Sequence, residues 1–173
     1  SIDGALVTYG NSDYVIWALD DSGTSQWKVS VGTTNDDVLN LGRFIPELGV
    51  LAICGSSASS SLGQLYYLNP ANGAQTGLIT WTSSSCQGFT YHTTMSALFV
   101  FGTATGPVDG ETPLGTSDLF LTRLDNSGNK IWTRVFGTSA ADVAAAIHFS
   151  AVDSSLMVVG TTTGVLEGQT AIG

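Results

Sequence analysis

The chain has 173 residues, 43% of them apolar and only 11% charged. That composition excludes a disordered polyelectrolyte and supplies one ordinary core. Fourteen acidic against five basic side chains give a net charge of -9, a field that repels phosphate backbones and anionic headgroups, so neither nucleic acid nor a membrane surface is an expected partner. Membrane insertion is not expected either, because no apolar run approaches the roughly 18 residues a spanning helix needs. Ser1–Tyr9 carries no basic segment followed by an apolar one, and the missing initiator Met reads as a processed or excised chain.

In chain order, the first clear segment is Asp13-Tyr-Val-Ile-Trp-Ala-Leu-Asp20, a strand pattern, followed by the turn Asp20-Asp-Ser-Gly23 and a second strand through Trp27. Asp36-Asp-Val-Leu-Asn-Leu and Gly49-Val-Leu-Ala-Ile-Cys-Gly55 read as two further strands. The pattern then restarts. Gly63-Gln-Leu-Tyr-Tyr-Leu-Asn69-Pro-Ala-Asn-Gly73 runs on to Trp81 with a turn lengthened by a few residues, and Ala97-Leu-Phe-Val-Phe-Gly102 ends at a Thr103-Ala-Thr-Gly106 break. A third copy has Leu119–Leu124 as strand, Asp125-Asn-Ser-Gly128 as tight turn and Ile131–Phe136 as strand. Asp142–Phe149 and Leu156–Gly160, joined by Val152–Ser155, complete it. Ala140–Ala146 has helical propensity, but its place in the repeat assigns it to a strand.

Three copies at a period of about 52 residues, approximately 11–62, 63–116 and 117–173, with four short antiparallel strands each, predict a single all-β domain. The predicted architecture is a β-propeller segment of four-stranded blades. Gly-flanked loops at Ile2-Asp3-Gly4, Val108-Asp109-Gly110 and Leu166-Glu167-Gly168 put both chain ends at the same point of the repeat. Counted from the inner strand, the N-terminal part supplies the outer two strands of one blade and the C-terminal part its inner two. Three blades are fewer than the four to eight or so of closed propellers. The expectation is therefore a half-ring completed by a second copy or by further repeats.

The line Ser117-Asp-Leu-Phe-Leu-Thr-Arg-Leu-Asp125-Asn-Ser-Gly128-Asn-Lys-Ile-Trp132, with Asp142-Val-Ala-Ala-Ala-Ile147 and Val158-Val-Gly-Thr-Thr-Thr163, resembles the SBBP β-propeller repeat of surface and secreted proteins. The Leu-Asp-x-x-Gly-x-x-x-Trp element is also similar to the repeats of quinoprotein propellers. The resemblance covers nearly the whole chain, with the second copy departing at Asn69-Pro and Cys86-Gln-Gly. It implies a propeller in an extracellular or cell-surface setting and carries no catalytic residues.

The candidate site residues follow from the repeat. Trp27, Trp81 and Trp132 are read as one recurring packing position, and Asp20 and Asp125 as turn caps; Asp37 and Asp142, before the inner strand, have the same reading. Trp17 does not recur and is the candidate sugar-stacking platform. Asp3, Asp109 and Glu167 lie on equivalent loops along one rim, and calcium, a hard cation that takes oxygen ligands, is the cofactor such a rim suggests. Cys54 and Cys86 leave open a disulfide or two buried thiols. His92 and His148 have no partner at ligand spacing and no Gly-x-Ser-x-Gly elbow occurs, so no enzyme is expected. The expected function is a structural or adhesive module that assembles with itself or with another propeller-repeat protein. A carbohydrate-binding lectin is the alternative, and a fragment of a quinoprotein-like or glycosidic propeller enzyme ranks below it.

Overall fold

A computed structural model describes residues 10–166. Every regular element in that span is a β-strand, twelve in all, and every pairing between strands is antiparallel. The order is strictly sequential. A two-stranded sheet of β1 (Tyr14–Leu19) and β2 (Ser25–Val31) comes first. A four-stranded sheet follows, β3 (Asp37–Ile45), β4 (Val50–Ser57), β5 (Leu62–Leu68) and β6 (Gln75–Trp81). A second one holds β7 (Ser84–His92), β8 (Ala97–Ala104), β9 (Asp118–Leu124) and β10 (Lys130–Phe136), and the hairpin of β11 (Asp142–Ser150) and β12 (Ser155–Thr162) closes the series. Each four-stranded sheet thus draws its first two strands from one sequence copy and its last two from the next.

Bulges identify the two-stranded sheets as halves of the larger ones. In β3, β7 and β11 the register slips by one residue at Leu39/Leu41, Cys86/Gly88 and Ala144/Ala146. A bulge near the turn marks β1–β2, β5–β6 and β9–β10. The hairpin β1–β2 therefore has the form of a third and fourth strand, and β11–β12 that of a first and second. The turns after β3, β7 and β11 each need one residue in the left-handed region, supplied by Gly49 (φ 64°), Ser96 (φ 46°) and Ser154 (φ 56°).

Side chains alternate about each strand, so both faces of a central sheet are covered by its neighbours in sequence. The main core lies between the two four-stranded sheets and includes Cys54, Leu65, Trp81, Phe89, Val100 and Phe120. A second cluster, with Tyr14, Val31, Ile53, Tyr66 and Leu68, seals β1–β2 against β3–β6. The Cys54–Cys86 disulfide ties β4 to β7 across the main core, so the two thiols left open by the sequence are paired.

Candidate interaction surfaces

The three tryptophans do not share one structural position. Trp27 pairs with Ala18 and Trp132 with Arg123, which are equivalent, but their counterpart in the middle copy is Gly77, paired with Tyr67. Trp81 lies four residues further along its strand, opposite Gly63. The turn accounts for one residue of the offset, which makes Gly77 the equivalent position, and the other four separate Gly77 from Trp81. The backbone closes from Asp20 to Thr24 and from Asp125 to Asn129, but from Asn69 to Ala74, one residue longer. All three indoles still meet aromatic or backbone groups around the sheet interfaces. Trp27 Nε1 donates to the Pro70 carbonyl of the next sheet at 3.0 Å and its ring lies under Gly73. Trp81 is fully buried, tilts against Phe120 at 5.9 Å and donates to Thr122 Oγ1 at 2.9 Å. Trp132 is partly buried, edge-on to Phe99 at 5.8 Å.

The outer turns are capped by one device used three times. Asp20 Oδ1 accepts the Ser22 and Thr24 amides, Asn69 Oδ1 the Ala71 amide, and Asp125 Oδ1 the Ser127 and Asn129 amides. The Ser22 hydroxyl, then the Thr24 amide, hold the Asp20 carboxyl below its ordinary value, and the Asn129 side chain and amide do the same for Asp125.

A second device joins successive sheets, and only half of it was visible in the sequence. Asp37 accepts the Thr33 amide at 2.6 Å, and Asp142 the Thr138 amide at 2.6 Å. Between each acceptor and an aspartate of the preceding sheet sits a glycine without room for a side chain. A methyl on Gly137 would lie 2.5 Å from Asp142 Oδ2 and 2.8 Å from Asp118 Oδ1, and Gly32 is enclosed the same way by Asp13 and Asp37. The Ser12 and Ser117 carbonyls accept the Asp37 and Asp142 amides. The repeated unit is Ser-Asp, then Gly-Thr nineteen residues after the Asp, then Asp five beyond the Gly. That spacing was the signal to find. Burial alone would raise the Asp142 carboxyl, but hydrogen bonds from Thr162 and Thr138 and with Asp118 outweigh it and hold it low. Burial and the Asp37 charge push the Tyr14 hydroxyl far up, and burial, with the Asp37 and Asp13 charges, takes Tyr66 up to about 12. Both phenols stay neutral at ordinary pH, and Tyr14 donates to Gln64 Oε1 at 3.0 Å.

Of the rim carboxylates, Asp3 and Glu167 lie outside the described residues. Asp109 is engaged within its own sheet: Lys130 Nζ is 2.7 Å from Oδ1 and Thr133 donates to Oδ2 at 2.7 Å. The same ammonium stands 4.8 Å over the Trp81 ring. Among the described residues no group of three or more His, Cys, Asp and Glu side chains is placed to hold a metal ion.

Among the described residues two concave surfaces stand out. A polar pocket of about 290 Å³ lies where β3, β7 and β11 end, with Arg43, Glu47, Tyr91 and His148 around it. His92, in contrast, is buried and stacks on Phe149 at 3.9 Å. A larger, more apolar groove of about 630 Å³ runs beside β12 and is lined by Leu119, Phe136, Val158 and Val159. Trp17 is in neither. It stands exposed on β1, its Nε1 donating to Ser25 Oγ at 2.7 Å.

Compared with known proteins, the chain matches no family model and no curated relative.

Proposed function

We propose that the sheets are blades of a β-propeller and that the chain is a non-enzymatic assembly module of an extracellular or cell-surface structure. The observation that carries this reading is the joint between successive sheets: the same backbone bond at all three (Asp37 amide to Ser12 carbonyl, Ser84 to Ser61, Asp142 to Ser117), the Ser-Asp/Gly-Thr/Asp staple at the first and third, and apolar cores between sheets. Such units bury their faces only by stacking on their like, so stacking is the activity built into the repeat. The disulfide and the low charge suit an oxidising compartment. The resemblance to SBBP repeats supports the same setting.

Antibody labelling of intact source cells tests the reading. The expected result is surface labelling that is lost on external protease treatment. Labelling only after permeabilisation, or turnover of a glycoside or alcohol substrate by the purified protein, would contradict it. The polar pocket at Arg43, Tyr91 and His148 favours the lectin reading over an enzyme as the second possibility. A glycan-array signal abolished by Arg43→Ala would establish that alternative.

A further inference from the structure

The two half-sheets have matching vacant edges. Among the described residues no strand pairs with the free edge of β1 or of β12. Their sequences, Tyr-Val-Ile-Trp-Ala-Leu and Ser-Leu-Met-Val-Val-Gly-Thr-Thr, carry no charge, although sheet edges meant to face water are usually guarded by charge or proline.

The complete sheets show what such edges look like when covered. Val15, Trp17 and Leu19 are 52%, 58% and 56% exposed. By register their counterparts are Gln64, Tyr66 and Leu68 in one complete sheet and Phe120, Thr122 and Leu124 in the other, all fully buried against the preceding sheet. On β12, Met157 and Val159 are 49% and 57% exposed, whereas their counterparts Ala52, Cys54, Phe99 and Phe101 are buried against the following sheet. A methyl on Gly73 or Gly128, in the outer turns, would meet Trp27 or Ile79 of the preceding sheet, whereas one on the equivalent Gly23 would meet nothing within 4 Å. Each exposed group lies on the face that a further sheet would cover.

The groove beside β12 is the vacant seat of a third strand. In the first complete sheet the corresponding space, between Tyr14, Val31 and Ile53, is filled by Tyr66 of β5. In the second, Phe120 and Thr122 of β9 fill the space against Trp81. The residues of β1 at those positions are Val15 and Trp17.

We infer that a second copy of this chain supplies the missing strands: its β1–β2 hairpin docks on β12, and the exchange is reciprocal about a two-fold axis. This rests on the propeller reading above. In β4–β5 Ser57 pairs with Leu62 and Leu51 with Leu68, and in β8–β9 Ala104 pairs with Asp118 and Leu98 with Leu124. The same register sets Thr162 opposite Asp13 of the second copy, Val158 opposite Trp17 and Leu156 opposite Leu19. Trp17 then enters the groove between Leu119, Phe136 and Val158, and Gly23 comes to rest on Trp132. Two copies give four whole and two composite sheets, a six-bladed ring within the range of about four to eight that closes.

Light scattering after size exclusion, over a tenfold dilution, tests the inference. Wild type is expected at twice the 17.9 kDa chain mass. Trp17→Glu, or Val159→Glu on the opposite edge, is expected to be monomeric at the same loading with an unchanged β-type circular dichroism spectrum. Val152→Glu, on the exposed turn after β11, should leave the dimer intact. A wild-type monomer at every concentration would overturn the second copy as the occupant while leaving the surface-labelling test of the assembly reading untouched. A dimer that survives both edge variants would overturn these edges as the contact.

Discussion

At the scale of residues, the fold depends on aspartates used as hydrogen-bond acceptors rather than as charges for ligands. Asp125 gathers the Ser127 and Asn129 amides and the Asn129 side chain, which depresses its pKa below the ordinary 3.8. A folded-state value below the unfolded one contributes stability that is present above the unfolded pKa and is lost as the pH falls through the folded one. Asp125→Asn, the residue type found at the equivalent Asn69, should therefore lower the urea midpoint at pH 7, and its gap from wild type should close below about pH 4. A gap independent of pH would remove the charge from the argument. Gly137 gives the second residue-level expectation. Because Thr138 fixes the Asp142 carboxylate, Gly137→Ala must displace one of the two flanking aspartates and is expected to cost about 1–3 kcal/mol in chemical unfolding.

At the scale of elements, one joint between sheets is covalent. The Cys54–Cys86 disulfide closes a sequence separation of 32 residues. Replacing both cysteines by alanine should lower the unfolding free energy by about 3–4 kcal/mol, measured by urea titration against the oxidised protein. A loss below about 1 kcal/mol would show that the sheets hold together without it. The hairpins of this repeat were legible in the sequence because their signals are local: Asp20-Asp-Ser-Gly23 and Asp125-Asn-Ser-Gly128 have the same length and cap the same way. Trp81 is not equivalent to the other two: the single residue added between Asn69 and Ala74 makes Gly77 the counterpart of Trp27 and Trp132, and Trp81 lies four residues beyond it at the end of the strand, a displacement that no local turn signal announces. The pairing of Asp13 with Asp37 and of Asp118 with Asp142 was not legible. Each pair spans 24 residues and two sheets, and the middle copy lacks it, with Leu62 and Ser84 at those positions.

At the scale of the whole molecule, the phase of the repeat was the informative feature. Among the described residues an outer pair comes first and an inner pair last, their free edges carry no charge, and the complete sheets show in detail what covers such edges. In sequence Trp17 does not recur, since Thr122 holds its place in the third copy, and this sets it apart as a candidate sugar platform. Its structural counterparts, Tyr66 and Thr122, are buried at sheet interfaces, and under the proposed exchange Trp17 takes the same place in the groove beside β12. The most direct measurement is residue-resolved hydrogen exchange across β1 and β12 in the isolated chain. If a second copy completes both sheets, alternate amides of Tyr14–Leu19 and Leu156–Thr162 should exchange as slowly as those of the central strands β4 and β8, and dilution below the dissociation range should release them together. Fast exchange along both free edges at every concentration would contradict the account.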